Sequence, residues 1–196
     1  MVIDDEIQFR SLLANSFTHS GRREVRIDGY HLAGVLVPLL VGPDGVEVVL
    51  TKRTEEVETH KGQISFPGGM VEEGDGDIRI TALREAEEEL SIPSSSVETV
   101  GLLDDLATPT GFIITPVVGI VERGTRFVPN PREVADVFTL PLGFFANPVN
   151  GRSEKKMIQG VEREIWYYGA GRHVVWGATA AIIRSLLQKI GMLEPS

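Results

Sequence analysis

The chain has 196 residues, no cysteine, and 28 acidic against 19 basic side chains, a formal net charge of −9. Without cysteine there is no disulfide framework, no thiol nucleophile and no Cys-ligated zinc. The negative balance argues against a nucleic-acid backbone as partner. A hydrophobic fraction of 42% can fill a core, and the length suits one domain, taken as residues 1–196.

The N-terminal MVIDDEIQFR is acidic and has no apolar leader region. The longest apolar stretch, Leu32–Gly42, is too short to span a bilayer and contains Pro38. A cytoplasmic protein with no membrane partner is expected. Asp4 to about His19 reads as an amphipathic helix with Ile7, Phe9, Leu12, Leu13 and Phe17 as apolar positions. Gly21–Arg26 follows as a basic, solvated connector. His31–Val41 and Val46–Arg53 read as strands joined by a Gly42-Pro43-Asp44-Gly45 turn. Gly62–Phe66 is strand-like, and Phe66-Pro67-Gly68-Gly69 reads as a sharp turn that ends regular structure.

After a flexible Gly74–Asp77 patch, with Asp77 as N-cap, a helix is expected. Its apolar face is Leu83, Ala86 and Leu90; Glu85, Glu88 and Glu89 share another face. Like charges at this spacing cost about 0.2–0.5 kcal/mol per pair, and they lie where the helix dipole disfavours anions. A cation would relieve that cost, and hard oxygen ligands suit Mg²⁺ or Mn²⁺. The plain alternative is a solvated acidic face with Arg84 as counter-ion.

Further strands are expected at Val97–Leu103, Pro116–Glu122 and Val134–Leu140, a short helical turn at Leu142–Ala146, and a hairpin of Ile158–Gln159 and Ile165–Tyr168 around Gly160. Tyr167 and Tyr168 alternate, so one faces out. Gly177–Ile190 closes the chain as a helix with Ala178, Ala181, Ile182, Ser185, Leu186 and Ile190 inward. Phe112 and Trp176 read as core. The four histidines, 19, 31, 60 and 173, have no zinc-ligand spacing. Strands mixed with three helices fit a layered α/β/α sandwich.

The run from Gly69 to Ile92 resembles the Nudix hydrolase signature G-x5-E-x7-R-E-U-x-E-E-x-G-U, with U a bulky apolar residue. Gly69, Arg84, Glu85, Glu88, Glu89 and Ile92 match. Asp75 stands where the first Glu belongs, one extra residue separates it from Arg84, Ala86 is a small U, and Ser91 replaces the last Gly. Asp75 keeps the charge with a shorter reach, and no direct role is assigned to it. A narrower resemblance, to the coenzyme A pyrophosphatase branch, lies in Leu50, Thr51, Arg53, Gly62 and Phe66–Gly69. It extends through 107–121, 131–142 and 174–180. Glu58 stands where that pattern has Arg, and His60 or Lys61 could replace the lost charge.

The resemblance implies a Nudix-like α/β/α sandwich with a mixed central sheet, Mg²⁺ or Mn²⁺ as cofactor and a small-molecule diphosphate substrate. It implies cleavage of coenzyme A or its thioesters to 3′,5′-ADP and 4′-phosphopantetheine or the acyl form. Other nucleoside diphosphate derivatives, such as ADP-ribose or an oxidised nucleotide, and a non-catalytic nucleotide-binding module are the alternatives. Glu85, Glu88 and Glu89 are the expected metal ligands. Arg84, Glu88 and Glu133 are the expected catalytic residues, with Asp104 and Asp105 the next acids in line. Arg53, Gly68 and Gly69 are expected to bind substrate. Arg53 would meet the 3′-phosphate, the competing role being an exposed pair with Glu55 or Glu56.

Overall fold

The computed structural model describes residues 6–18, 21–43, 45–55 and 61–194. Four helices, α1 (Glu6–Thr18), α2 (Ile78–Leu90), α3 (Leu142–Ala146) and α4 (Gly177–Lys189), alternate with eleven strands. The strands are β1 (His31–Gly42), β2 (Gly45–Arg53), β3 (Ile64–Ser65), β4 (Gly68–Met70), β5 (Val97–Leu102), β6 (Leu106–Ala107), β7 (Phe112–Val121), β8 (Val134–Pro141), β9 (Gly151–Ile158), β10 (Val161–Ala170) and β11 (His173–Trp176). Among these residues no helix is long and apolar enough to cross a membrane.

The main sheet runs β3-β2-β1-β7-β5, with β4 on β1, β6 on β7 and β8 on β2. Among the described residues only β1 and β7 pair in parallel, His31 opposite Phe112 through Leu39 opposite Ile120, so the sheet is mixed. Alternation along β1 divides the core. Val37, Leu39 and Val41 pack with Phe9 and Leu13 of α1 and Ile183, Leu186 and Leu187 of α4. Leu36 points the other way, to Ala82, Ala86 and Leu90 of α2. The α/β/α layering and mixed sheet match the expected fold class.

A second antiparallel sheet, β11-β10-β9, stands beside the first. Its β9–β10 turn has positive φ at both Gln159 and Gly160, the combination a two-residue hairpin favours. Tyr168 is buried and Tyr167 faces out, stacked on Trp176.

Several expectations need correction. Ile7 is exposed, so the buried face of α1 is Phe9 and Leu13. At α4, Ile182, Leu186 and Ile190 are buried as expected, but Thr179, Ala180, Ile183 and Leu187 take the inward places expected for Ala178, Ala181 and Ser185. That face is turned by about one position, because two β-branched isoleucines outweigh the small Ala178, Ala181 and Ser185. Trp176 lies at the end of an outer strand, not in the core. Arg22 of the connector is not solvated: it clasps Asp105. Gly68–Met70 is a strand, not a break, pairing with Ala33–Val35. The readings at Asp44, Glu58, His60, Glu56 and the outer ends of α1 lie outside the described residues.

Candidate functional site

The site grows from the glycine pair. Gly68 and Gly69 have extended backbone and lie against β1, flanked by the Leu36 N–H to Pro67 O and Val71 N–H to Leu32 O bonds. A Cβ on Gly68 would sit 2.6 Å from both Gly34 O and Val35 Cγ1. A Cβ on Gly69 would overlap the Glu85 carboxylate. The glycines therefore serve close approach rather than positive φ.

Asp77 starts α2 as foreseen, its side chain accepting the Arg79 N–H. Ser91 ends it in the left-handed region at φ 55°, its N–H bonded to Ala86 O and Glu87 O. Glycine adopts that conformation without strain, which accounts for the Gly of the signature. Beyond the cap, Val128 N–H and Asn130 N–H bond to Leu90 O and Glu89 O. The 126–133 loop is thereby docked on the helix end.

Three carboxylates of α2 meet different surroundings. Glu88 is exposed at 57% of its side chain, Glu85 is mostly covered, and Glu89 is 2% exposed. Burial pushes the Glu89 carboxyl up to about 8, with repulsion from Glu133 and Glu85 adding to it and Arg53 and the Gly68 N–H opposing. Burial also raises Glu85, against the pull of Arg84, with Glu88 and Glu133 adding repulsion.

Arg84 organises this face. Its Nη1 donates to Glu85 Oε1 at 2.9 Å and reaches both Glu88 oxygens at 3.4 Å. Its Nη2 donates to Met70 O at 3.1 Å. Asp75 holds the other edge, Oδ1 on Nε and Oδ2 on Nη2, each at 3.1 Å. The same carboxylate accepts from the Glu72 N–H and the Thr81 hydroxyl. Asp75 thus has a direct structural role that sequence reading did not assign. An acid at the signature's first acidic position, upstream of Arg84, was the signal that could have pointed to it.

Arg53 lies on the same face. A register shift between Lys52 and Arg53 interrupts the β2–β8 ladder, and Nη1 sits 3.6 Å from Glu89 Oε1. Among the described residues its partner is Glu89; the Glu55 carboxylate lies instead against Gly62. Glu133 is fixed nearby by Thr54 N–H to its carbonyl and Asn130 Nδ2 to its carboxylate. It is close enough to repel both Glu85 and Glu89. Asp104 and Asp105 are elsewhere. Asp105 is committed to Arg22, Thr115 and the Val25 N–H, and Asp104 to the Arg23 N–H. Lys61 is exposed.

Among the described residues no three carboxylate or imidazole groups converge as a ready-made metal cage. The carboxylates are instead neutralised by two guanidinium groups, Arg84 and Arg53. The donor set still fits a hard divalent cation: oxygen ligands only, one of them buried, with Glu85 lying close against the Gly69 backbone. Glu85, Glu88 and Glu89 would hold it.

A family model for the NUDIX domain matches residues 30–160. The chain is 36% identical over 163 residues to the uncharacterized Nudix hydrolase NudL of Photorhabdus laumondii, covering 83% of this chain and 87% of that protein. It is 38% identical over 165 residues to the NudL of Pectobacterium atrosepticum, covering 81% and 82%. Among solved structures, a MutT/nudix family protein from Enterococcus faecalis superposes with a TM-score of 0.55 at 13% identity, over 97% of this chain and 76% of that one. A NUDIX hydrolase from Alicyclobacillus acidocaldarius gives 0.55 at 16% identity, over 85% and 97%. At such identities these structures speak to the fold alone.

Proposed function

This chain belongs to the Nudix hydrolase family, and we propose that within it the protein hydrolyses the pyrophosphate bond of coenzyme A or its thioesters, using Mg²⁺ or Mn²⁺. The products would be 3′,5′-ADP and 4′-phosphopantetheine or its acyl form. The observation that carries the reading is the carboxylate face of α2, Glu85, Glu88 and Glu89, set against the bare backbone of Gly68 and Gly69. The coenzyme A assignment is supported by the likeness of Leu50, Thr51, Arg53, Gly62 and Phe66–Gly69 to that branch.

Bound at Glu85, Glu88 and Glu89, a divalent ion would offset the diphosphate charge and make a water more acidic. The remaining roles fall to the chain. Gly68 and Gly69 let β4 pack tightly on β1 and let the Glu85 carboxylate lie directly against the backbone there. Arg84, fixed by Asp75, orients Glu85 and Glu88 through charge-assisted hydrogen bonds. Glu133 and Glu88 are the candidates to take the proton of the attacking water. Glu133 comes from a separate loop, as an acid outside the helix would.

A panel of diphosphates tests the assignment. Coenzyme A, ADP-ribose and an oxidised nucleoside triphosphate, compared by kcat/KM with Mn²⁺, should rank coenzyme A first. A clear preference for ADP-ribose or the oxidised nucleotide would replace the substrate and leave the family unchanged.

A further inference from the structure

Two guanidinium groups neutralise the carboxylates of α2, and they are held in opposite ways. Arg84 donates from Nε, Nη1 and Nη2 to Asp75, Glu85 and Met70 O, all at 3.1 Å or less. Arg53 is loose. Among the described residues its only ion pair, to Glu89, is 3.6 Å long, beyond hydrogen-bond range. Its Nε is buried and has no hydrogen-bond partner among the described residues. The side chain nonetheless cannot wander: it is 22% exposed and emerges at the β2–β8 register shift, a feature that re-aims side chains beside active sites. A buried donor left unmade is costly, so this placement calls for an acceptor that arrives from outside.

We propose that Arg53 is an exchangeable counter-ion: it balances Glu89 in the metal-free protein, and yields that carboxylate to the divalent cation so that its guanidinium meets the substrate's diphosphate. The inference rests on the metal-dependent reading above and adds the order of events at Glu89. Arg53 faces Glu89 whenever that carboxyl is ionised, and the metal then takes the guanidinium's place, so the ionised form never stands alone in the site. The released Nε and Nη groups form a planar fork suited to phosphate oxygens. The position beside Glu89 directs Arg53 to the diphosphate, the part that coenzyme A and dephospho-coenzyme A share, rather than to the 3′-phosphate.

The test is calorimetric titration of Mn²⁺ into metal-free protein with no substrate present. Arg53→Met keeps the length and loses the charge. It should bind Mn²⁺ more tightly, on the order of tenfold, because the competing cation is gone. Arg53→Lys keeps the charge and should stay near wild type. Should Arg53→Met fail to melt cooperatively, Arg53→Gln makes the same comparison. Unchanged or weaker Mn²⁺ binding by the uncharged variant would overturn the exchange. In turnover, Arg53→Met should raise KM for coenzyme A and dephospho-coenzyme A by the same factor; a rise for coenzyme A alone would overturn the diphosphate role. A wild type that binds no Mn²⁺ would end both the exchange and the metal reading. A wild type that binds Mn²⁺ but leaves coenzyme A intact would remove only the substrate assignment.

Discussion

Asp75 grips Arg84 along one edge of the guanidinium, each carboxylate oxygen 3.1 Å from a different nitrogen. This fork geometry leaves Nη1 free to face Glu85 and Glu88. The clamp and the carboxylate face of α2 thus meet at the two sides of one side chain.

The clamp predicts a mutant with misplaced glutamates. Asp75→Asn should lower the rate roughly 10–100-fold through loss of orientation, and lower the melting temperature. Arg84 first, then the Glu72 N–H and the Thr81 hydroxyl, hold the Asp75 carboxyl well below its ordinary value of 3.8. A depressed value means that the stabilisation is complete above 3.8 and is lost as the pH falls through the folded-state value. Melting curves of wild type and Asp75→Asn should therefore converge in acid. Parallel curves down to the acid limit would remove the charge from the account.

Glu89 carries the opposite sign. Its carboxyl is pushed up from 4.5 to about 8, by burial first. A raised value favours the protonated folded form, so this stabilisation is full below 4.5 and disappears as the pH rises to about 8. Metal-free Glu89→Gln should lack that decline and melt above wild type at alkaline pH. Its turnover should fall on the order of 10²–10⁴-fold. Wild-type turnover in a folded Glu89→Gln protein would return the α2 carboxylates to an ordinary acidic surface.

Much of this arrangement was legible in the sequence, for local reasons. The periodicity of 78–90 and the cap at Asp77 mark α2 without any tertiary context, and the carboxylate spacing marks its acidic face. What escaped depends on contacts far apart in the chain. The β4 strand was read as a break because Gly68 and Gly69 look like punctuation, whereas their use is close packing against Gly34 and Glu85. The two-residue β6 and four-residue β11 are too short for an alternating pattern to register. The Arg53–Glu89 pair requires the topology that brings β2 beside the end of α2, and no spacing rule points to it.

Ser91 offers a test of stability alone. It holds the left-handed C-cap of α2 at φ 55° and makes a long 3.3 Å bond to Val128 O. The left-handed conformation costs a residue other than glycine about 1–2 kcal/mol. Ser91→Gly should stabilise the protein by about 0.5–1 kcal/mol after losing the exposed hydrogen bond and some chain entropy. Chemical denaturation measures it. A destabilised Ser91→Gly would mean that the hydroxyl matters more than the backbone strain.

The central claim is metal-assisted cleavage of a diphosphate by the α2 carboxylates. It is tested most directly by incubating the purified protein with coenzyme A and Mn²⁺ or Mg²⁺, with and without EDTA, and identifying the products by mass. The account predicts 3′,5′-ADP and 4′-phosphopantetheine in equal amounts, none in EDTA, and recovery when the metal is returned. Coenzyme A left intact with metal present would remove the substrate assignment alone; full activity under thorough chelation would contradict the claim.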